Sequence, residues 1–306
     1  MLILFNLNFM KLEYLNQCPI CESYNIIKVS NIKSNIKEIK NLFDLMKCLD
    51  CFHRFSSKIP NQIELNKLYE VDSPLVFGGT IHELDQKETF IQNNFENIKP
   101  QFNHWIFDYI EQNEGSYFEL GPGLCRLYKT FYLKGWKCQG LEQRSFIKID
   151  GIKKDIKDIE NNNDVVAAID VLEHLVDPTE MLKKINLKIK KGGKIFLTYP
   201  HSESFKSKIL KDRWPMVSPL AHIHYFSKKS TKIMLEKSGY KILVIKDFSF
   251  VELRRLIRNF IKLPIFILKD IFQLNFKNIY YRFVELFLNI LDLINGDQLK
   301  VIAKKI

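Results

Sequence analysis

Long uncharged apolar runs are missing from this chain of 306 residues. A membrane-spanning helix needs about 18 or more such residues. The most apolar region, 263–294, is interrupted by charged side chains. These are Lys269, Asp270, Lys277, Arg282, Glu285 and Asp292. The sequence therefore argues against a spanning helix.

The first ten residues lack the features of a secretory signal. They read MLILFNLNFM and are apolar, but they carry no basic leader, are interrupted by asparagines and contain no small-residue cleavage site. We therefore expect a cytosolic protein.

The sequence also lacks an arginine-rich arm, and basic and aromatic residues cluster densely only at 51–55. The formal net charge is nevertheless +11, which suits an anionic partner such as nucleic acid, a membrane surface or a phosphorylated substrate. Lysine, asparagine and isoleucine are abundant throughout, so no single lysine carries much weight. Charge alone does not choose among these partners.

Four of the six cysteines form two pairs, each with two residues between its members. They are Cys18 and Cys21, and Cys48 and Cys51. Two such pairs can place four thiolates around one zinc ion with no position left for water, which is typical of a structural site. A redox dithiol or two disulfides are the alternatives, but a cytosolic chain keeps its thiols reduced. We predict a zinc ribbon over residues 1–60 that depends on the metal, with His53 as a surface or packing residue rather than a fifth ligand.

Residues 61–114 are predicted to be a linker followed by a helical lead-in. Apolar residues between 90 and 110 recur at three- and four-residue spacing, which predicts an amphipathic helix with a break at Pro100. Tyr69 and the turn at 77–80 either border a cofactor entrance or form a plain loop, and the plain loop is favoured.

A glycine turn follows the first predicted strand of the next domain. Ser116 to Leu120 is a short apolar strand, Gly121 and Gly123 bend the chain, and helical spacing runs over 124–133. Glycines let the backbone approach a ligand closely, and a helix start presents unpaired amides to it. The missing third glycine of a GxGxxG motif argues against an NAD-linked enzyme.

Acidic residues follow two further predicted strands. Glu142 ends the strand 136–141, where a carboxylate can accept hydrogen bonds from both hydroxyls of a ribose. Asp155 follows the third strand, where it could reach an adenine amino group. Asp158 and Glu160 lie near it, and solvated acids are common in such loops, so Asp155 is the weaker candidate.

The fourth predicted strand, 165–169, is an apolar run of the kind buried on both faces of a parallel sheet. Asp170 lies at its carboxyl end, where ligands bind in open α/β sheets. Asp177 and the proline after it predict a helix start. The glycines at 192–193 lead into a fifth strand, 194–199.

These segments resemble class I S-adenosylmethionine-dependent methyltransferases. The matching segments are Glu119–Gly123, Glu142, Asp170–Pro178 and 192–200. The chain is also similar to a branch from cell-surface polysaccharide gene clusters, in which a zinc-binding segment precedes this domain. Its pattern is matched by Ser204, Trp214, Pro219, His222 and Phe226. Cys125 departs from it by replacing a third glycine, which predicts looser packing rather than lost binding.

The resemblance implies an α/β fold, with a doubly wound, seven-stranded Rossmann-like sheet over 115–306. It implies S-adenosylmethionine as cofactor, structural Zn²⁺ and a sugar or glycan-precursor substrate. The predicted cofactor-binding residues are Glu119, Gly121, Gly123, Glu142, Asp155 and Asp170, and the predicted zinc ligands are the four paired cysteines.

Methyl transfer from a sulfonium is a direct displacement, so the protein mainly has to hold the two reactants in line. A hydroxyl acceptor also needs a base, most often histidine. The candidates are His174, His201, His222 and His224, with His174 and His222 ranked first. A structural role is open for His174 and a lid-organising role for His222. Trp214 either offers a platform to a sugar ring or anchors the lid.

A helical insertion is predicted at 251–295, before the last strand at 296–304. Apolar residues at helical spacing alternate with arginine and lysine there, as in an amphipathic hairpin. It could touch an anionic membrane peripherally, form an oligomer contact or cover the core. We favour the membrane or a partner.

Three functions fit the sequence. The first is methylation of a sugar during assembly of a surface glycan. The second is an RNA methyltransferase whose zinc ribbon and positive charge grip RNA, although the missing arginine-rich arm disfavours nucleic acid. The third is a non-catalytic protein that retains the fold.

Overall fold

The computed structural model describes residues 12–33, 42–61, 63, 65, 95–144, 147–249, 261, 264 and 276–306. The strands are β1 (Leu12–Tyr14), β2 (Ile26–Lys33), β3 (Leu42–Cys48), β4 (Arg54–Ser56), β5 (Lys58–Pro60), β6 (Ser116–Leu120), β7 (Lys137–Leu141), β8 (Ile152–Lys153), β9 (Asn163–Ile169), β10 (Ile189–Pro200), β11 (His224–Tyr225), β12 (Tyr240–Phe248) and β13 (Gln298–Lys305). The α-helices are α1 (Arg126–Leu133), α2 (Pro178–Lys188), α3 (Phe205–Leu210), α4 (Lys228–Lys237) and α5 (Phe276–Ile294).

The predicted seven-stranded Rossmann-like sheet is confirmed. Its strand order is β12-β13-β10-β9-β6-β7-β8, and β13 runs antiparallel to both of its neighbours. In the central strand β9, residues Val165 to Ala168 are buried, and Asp164 and Ile169 are partly exposed. Both faces of a parallel strand are covered in this architecture, which explains its continuous apolar sequence.

The helix starts follow local capping chemistry. The Asp177 carboxylate accepts a hydrogen bond from the Glu180 amide at 2.8 Å, so α2 begins at Pro178 as predicted. The helix after the glycine turn begins later than predicted, at Arg126, because Cys125 adopts a left-handed conformation with φ 54°.

A second sheet joins the N-terminal segment to the larger domain. It has four strands in the order β11-β4-β3-β2. Strand β11 comes from far downstream and pairs His224 with Phe55 and Tyr225 with Arg54. The strands β1 and β5 form a separate antiparallel pair. The boundary at residue 60 stays a prediction, but the ribbon sheet is completed by a strand from within 115–306.

The apolar cores of the two parts are continuous. Cys18, Ile20 and Phe55 from the ribbon belong to the same buried cluster as Phe118 and Leu197 from the large sheet. Burial of apolar area contributes about 25 cal/mol per Å², so the ribbon is held to the domain by more than its chain connection.

The predicted amphipathic helix between 90 and 110 is wrong for its described part. Residues Phe95–Asn97 and Trp105–Tyr109 form short 3-10 helices instead. Pro100 lacks an amide hydrogen and restricts the residue before it, so no α-helix continues through it. Tyr69 and the turn at 77–80 lie outside the described residues.

The predicted helical insertion before the last strand is confirmed by α5. Its side chains Phe283, Phe287, Ile290 and Ile294 form an exposed apolar stripe. Among the residues that the structure describes, no helix is long and apolar enough to cross a membrane. Most of 251–275 lies outside the described residues, and peripheral membrane contact or an oligomer contact through 251–295 stays a prediction.

Candidate active site

The carboxyl ends of three neighbouring strands meet at one edge of the large sheet. In the strand register, Leu120 lies opposite Leu141 on one side and Ala168 on the other. The residues that follow these positions therefore emerge together. They include the glycine turn, Glu142 and Asp170, which is the arrangement that the sequence predicted for three of its cofactor-binding segments.

The glycine turn is tight, and its first glycine has no room for a side chain. Gly121 has φ +63°, and its amide donates to the Leu141 carbonyl at 2.9 Å. A Cβ on Gly121 would lie 2.8 Å from Cγ2 of Val171. Gly123 is also left-handed, at φ +54°. Because the backbone is bare here, a ligand can approach it closely.

Glu119 is a buried acid beside this turn. Its Oε2 atom is buried and has no hydrogen-bond partner among the described residues. Burial raises the pKa of Glu119 to about 8, and the nearby Glu142 charge adds to the shift. A buried polar atom without a partner requires an explanation, and a cationic or hydrogen-bond-donating ligand would satisfy it.

Glu142 is paired with an arginine that the sequence reasoning missed. Its Oε2 accepts from Nη2 of Arg144 at 2.7 Å, and its Oε1 accepts from Nε of Arg144 at 3.1 Å. Burial alone would raise the pKa of Glu142, but the hydrogen bonds and charge of Arg144 hold it below its usual value. The carboxylate is thus ionised and fixed in direction. No spacing rule links an acid to an arginine two residues later in a loop, so no sequence pattern indicated this pair.

The two predicted aspartates differ in their surroundings. Asp170 is left-handed, at φ 55°, and its carboxylate accepts from Oγ1 of Thr198 at 2.8 Å; burial raises its pKa. Asp155 is exposed, and its carboxylate accepts from the Lys157 amide at 2.9 Å. Asp170 therefore joins the buried group of acids, while Asp155 caps a short 3-10 helix at the end of β8.

The two first-ranked histidines lie against each other. His174 follows β9 in a short 3-10 helix, Leu172–His174, and its ring centroid is 4.8 Å from that of His222. Nδ1 of His174 lies 2.5 Å from the Ala221 carbonyl oxygen. Burial lowers the pKa of His174 to about 3 and that of His222 below its usual value. Both rings are therefore neutral at neutral pH.

The other two histidine candidates have different neighbours. Nδ1 of His201 lies 3.2 Å from Oδ1 of Asp247. Nδ1 of His224 lies 3.1 Å from Nε2 of His53, and both of these side chains are fully buried. His53 is thus a packing residue, as predicted, and His224 belongs to the seam between the ribbon and the domain.

Trp214 is an anchor rather than a sugar platform. It is only 1% exposed, and its indole Nε1 donates to Oδ2 of Asp297 at 3.2 Å. A stacking platform needs an accessible ring face, which this residue does not have.

The four paired cysteines converge at one point. Sγ of Cys18 lies 3.5 Å from Sγ of Cys51, and Sγ of Cys21 lies 3.5 Å from Sγ of Cys48. All four sulfur atoms lie within 4.8 Å of one another. Thiolates bound at about 2.3 Å to a tetrahedral zinc ion lie about 3.8 Å apart, so the cluster has the size of a zinc site. All four are free cysteines.

Comparison with known proteins places the chain in a family. The sequence profile described as "Methyltransferase domain" matches residues 90–244. No curated protein matches the chain significantly by sequence.

Solved structures of methyltransferases align with the chain. One is an S-adenosylmethionine-dependent methyltransferase from Mesorhizobium loti, at 13% identity and a TM-score of 0.44, covering 65% of this chain and 95% of that one. Another, from Archaeoglobus fulgidus, has 16% identity and a TM-score of 0.43, covering 75% of this chain and 96% of that one. The Haemonchus contortus phosphoethanolamine N-methyltransferase 2, in complex with S-adenosyl-L-methionine, has 15% identity and a TM-score of 0.47, covering 82% of this chain and 62% of that one.

Proposed function

Since the chain belongs to the methyltransferase-domain family and is an S-adenosylmethionine-dependent methyltransferase, we propose that it methylates a hydroxyl group of a sugar or glycan precursor. The observation that carries this proposal is the pair of neutral histidines beside the carboxyl end of β9. A hydroxyl acceptor must lose a proton during methyl transfer, and we assign its acceptance to His222, because a pKa of about 3 makes the His174 ring a weak base. The sugar class comes from the sequence resemblance to polysaccharide-cluster enzymes.

The residues at the sheet edge fit S-adenosylmethionine. The bare turn at Gly121 accepts close approach of the cofactor, the fixed carboxylate of Glu142 is the group for the ribose hydroxyls, and Glu119 offers its unpartnered oxygen to the amino or sulfonium charge. When bound, the cofactor supplies an electrophilic methyl group next to a positive sulfur. We assign Gly123 and Asp170 to the same site, and Asp155 to its adenine end.

The four-cysteine cluster is proposed to hold a structural zinc ion. Four thiolates leave no open coordination position for chemistry. The turn that carries Cys51 also contacts the large domain. Oγ of Ser202 donates to the Phe52 carbonyl at 3.1 Å, and Oγ of Ser227 donates to the Cys51 carbonyl at 2.5 Å. Ser202 follows β10, and Ser227 caps α4. The Ser56 amide also donates to the Ile223 carbonyl at 3.0 Å, so the ribbon contacts the segment next to His222 as well.

The acceptor histidines can be tested by substitution. His222→Asn should lower turnover by about a hundredfold or more, the usual contribution of a positioned base, while the dissociation constant for S-adenosylmethionine stays near that of the unaltered protein. The matched control is His104→Asn, a partly buried histidine that packs on Trp105 instead. Initial rates with labelled cofactor decide the result, and equal turnover in both variants would remove His222 from the chemistry.

The pH dependence of cofactor binding tests Glu119. In the free protein its pKa is about 8, so between its ordinary value and pH 8 the folded state keeps a proton that the unfolded state has lost. The contribution of Glu119 to the stability of the free protein therefore falls as pH rises through this range. A cationic cofactor favours the ionised acid, so its affinity should rise with pH, by up to about tenfold per unit below pH 8.

Calorimetric titration with S-adenosylmethionine at pH 6, 7 and 8 measures this slope, and Glu119→Gln should flatten it. An identical slope in Glu119→Gln would show that another group carries the pH dependence.

The acceptor class can be tested directly. The purified protein is incubated with methyl-labelled S-adenosylmethionine and extracts containing glycan precursors or total RNA, and the labelled product is isolated. Label in a sugar, resistant to ribonuclease, supports the proposal. Label that is released by ribonuclease would contradict it.

A further inference from the structure

We propose that Glu173, His174 and His222 bind a second divalent metal ion, separate from the four-cysteine cluster. The ion would lie on the acceptor side of the proposed methyl-transfer site. Only its role in the reaction rests on the proposed function. The binding of the ion itself rests on the side chains described below.

The three side chains converge from two separate segments. One ligand atom from each lies within 4.8 Å of the others. Oε1 of Glu173 is 4.0 Å from Nε2 of His174. The segments are held together by the backbone, since the Ile223 amide donates to the Glu173 carbonyl at 2.8 Å. Ligand atoms about 2.1 Å from a tetrahedral ion lie about 3.4 Å apart, so Glu173 and His174 would have to move slightly closer together to share one.

The histidine orientations are those of metal ligands. Nδ1 of His174 lies 2.5 Å from the Ala221 carbonyl, and Nδ1 of His222 lies 2.6 Å from the Met216 carbonyl. A carbonyl only accepts, so Nδ1 of His222 carries the hydrogen, and in its neutral ring the lone pair is then on Nε2; the His174 ring is held by the carbonyls of both Ala221 and Asp170. Metal-binding histidines almost always donate their other ring hydrogen to a carbonyl or carboxylate, which fixes the tautomer and the ring.

Glu173 supplies the third observation. The side chain is 1% exposed, and its Oε2 has no hydrogen-bond partner among the described residues. Burial and the nearby Asp170 charge raise its pKa well above the usual range. A buried carboxyl group next to two neutral imidazoles contributes little to stability, because a buried oxygen without a hydrogen-bond partner is destabilising. A bound cation would remove that cost.

The ligand set indicates the kind of ion. Two imidazoles and one carboxylate suit a borderline cation such as Zn²⁺, Fe²⁺ or Co²⁺, and three protein ligands leave a position for water or substrate. A hydroxyl oxygen bound at that position would have a lowered pKa. With the ion bound, His174 and His222 would hold the metal instead of taking the proton themselves, and the metal-bound hydroxyl would lose its proton to water before methyl transfer.

The test is a count of metal ions in the full-length protein. The zinc-loaded chain, with its thiolate site filled, is titrated with Co²⁺ and followed by visible absorption. We expect one further equivalent of Co²⁺, with a spectrum that lacks thiolate-to-cobalt charge transfer. Glu173→Gln and His222→Gln should each weaken this uptake at least tenfold, while Glu180→Gln, at an exposed acid in the first turn of α2, should leave it unchanged.

Uptake of no further Co²⁺, or equal uptake in Glu173→Gln, His222→Gln and the unaltered protein, would overturn the proposal. Near-ultraviolet circular dichroism confirms that each variant is folded, and the titration of the unaltered protein is decisive even if a variant is not. The measurement is independent of activity. Metal uptake without sugar methylation would support this metal site and refute the proposed acceptor. Sugar methylation without metal uptake would refute this metal site and support the proposed acceptor.

Discussion

Replacing Cys48 with serine is expected to remove the zinc ion from the ribbon and to lower the free energy of unfolding by at least about 3 kcal/mol. Structural zinc in small zinc-finger peptides contributes about 10–16 kcal/mol of apparent binding free energy. Losing one of the four thiolates should therefore remove a large part of that binding free energy. The loss should spread beyond the ribbon, because Cys48 is fully buried in the same apolar cluster as the large sheet.

Metal content by mass spectrometry and unfolding in guanidinium chloride measure this effect. Cys138→Ser is the matched control, since Cys138 lies on β7 and its Sγ donates to the Trp136 carbonyl instead of facing the other cysteines. A Cys48→Ser protein that is metal-free at this site yet as stable as Cys138→Ser would refute the structural role of zinc.

The second large effect is expected at the glycine turn. Gly121→Ala should lower the affinity for S-adenosylmethionine by at least tenfold. The added Cβ would lie 2.8 Å from Cγ2 of Val171, so the turn or the chain after β9 must move. Both lie at the sheet edge that carries the acids. The left-handed φ of +63° adds strain of about 1–2 kcal/mol for any residue with a Cβ.

Gly192→Ala is the control that separates the effect of backbone strain from the effect of a steric clash. Gly192 is also left-handed, at φ +78°, but nothing lies within 4 Å of the Cβ it would gain. This variant should lose a similar amount of stability and keep its cofactor affinity. Equilibrium binding of the cofactor to both folded variants decides the matter, and equal affinity in both would mean that the turn does not contact the cofactor.

The order of strands and turns was predictable because each is encoded locally. Each depends on a backbone preference set within a few residues, as in the apolar run 165–169, the glycines at 121 and 123 and the cap at Asp177. In parallel strands, residues after each strand end share one edge, so the sequence also placed Glu142 and Asp170 near the glycine turn. The break at Pro100 was expected, but the segments beside it are 3-10 helices, and apolar spacing of three residues fits a 3-10 helix as well as an α-helix.

The missed features depend on contacts between distant segments. The pairing of His224 with Phe55, which completes the ribbon sheet, joins residues that no local pattern relates. The convergence of Glu173 with His222 likewise follows from the Ile223 amide bonding back to the chain after β9. Burial of Trp214 was also beyond the sequence, because exposure is set by how the chain folds over it.

We propose that S-adenosylmethionine binds at the sheet edge formed by Gly121, Glu119 and Glu142. The most direct test is calorimetric titration of the folded, zinc-replete protein with S-adenosylhomocysteine, the demethylated product. We expect saturable binding of one molecule per chain, weakened by Gly121→Ala and not by Gly192→Ala. No binding of either the product or S-adenosylmethionine to intact protein would contradict it.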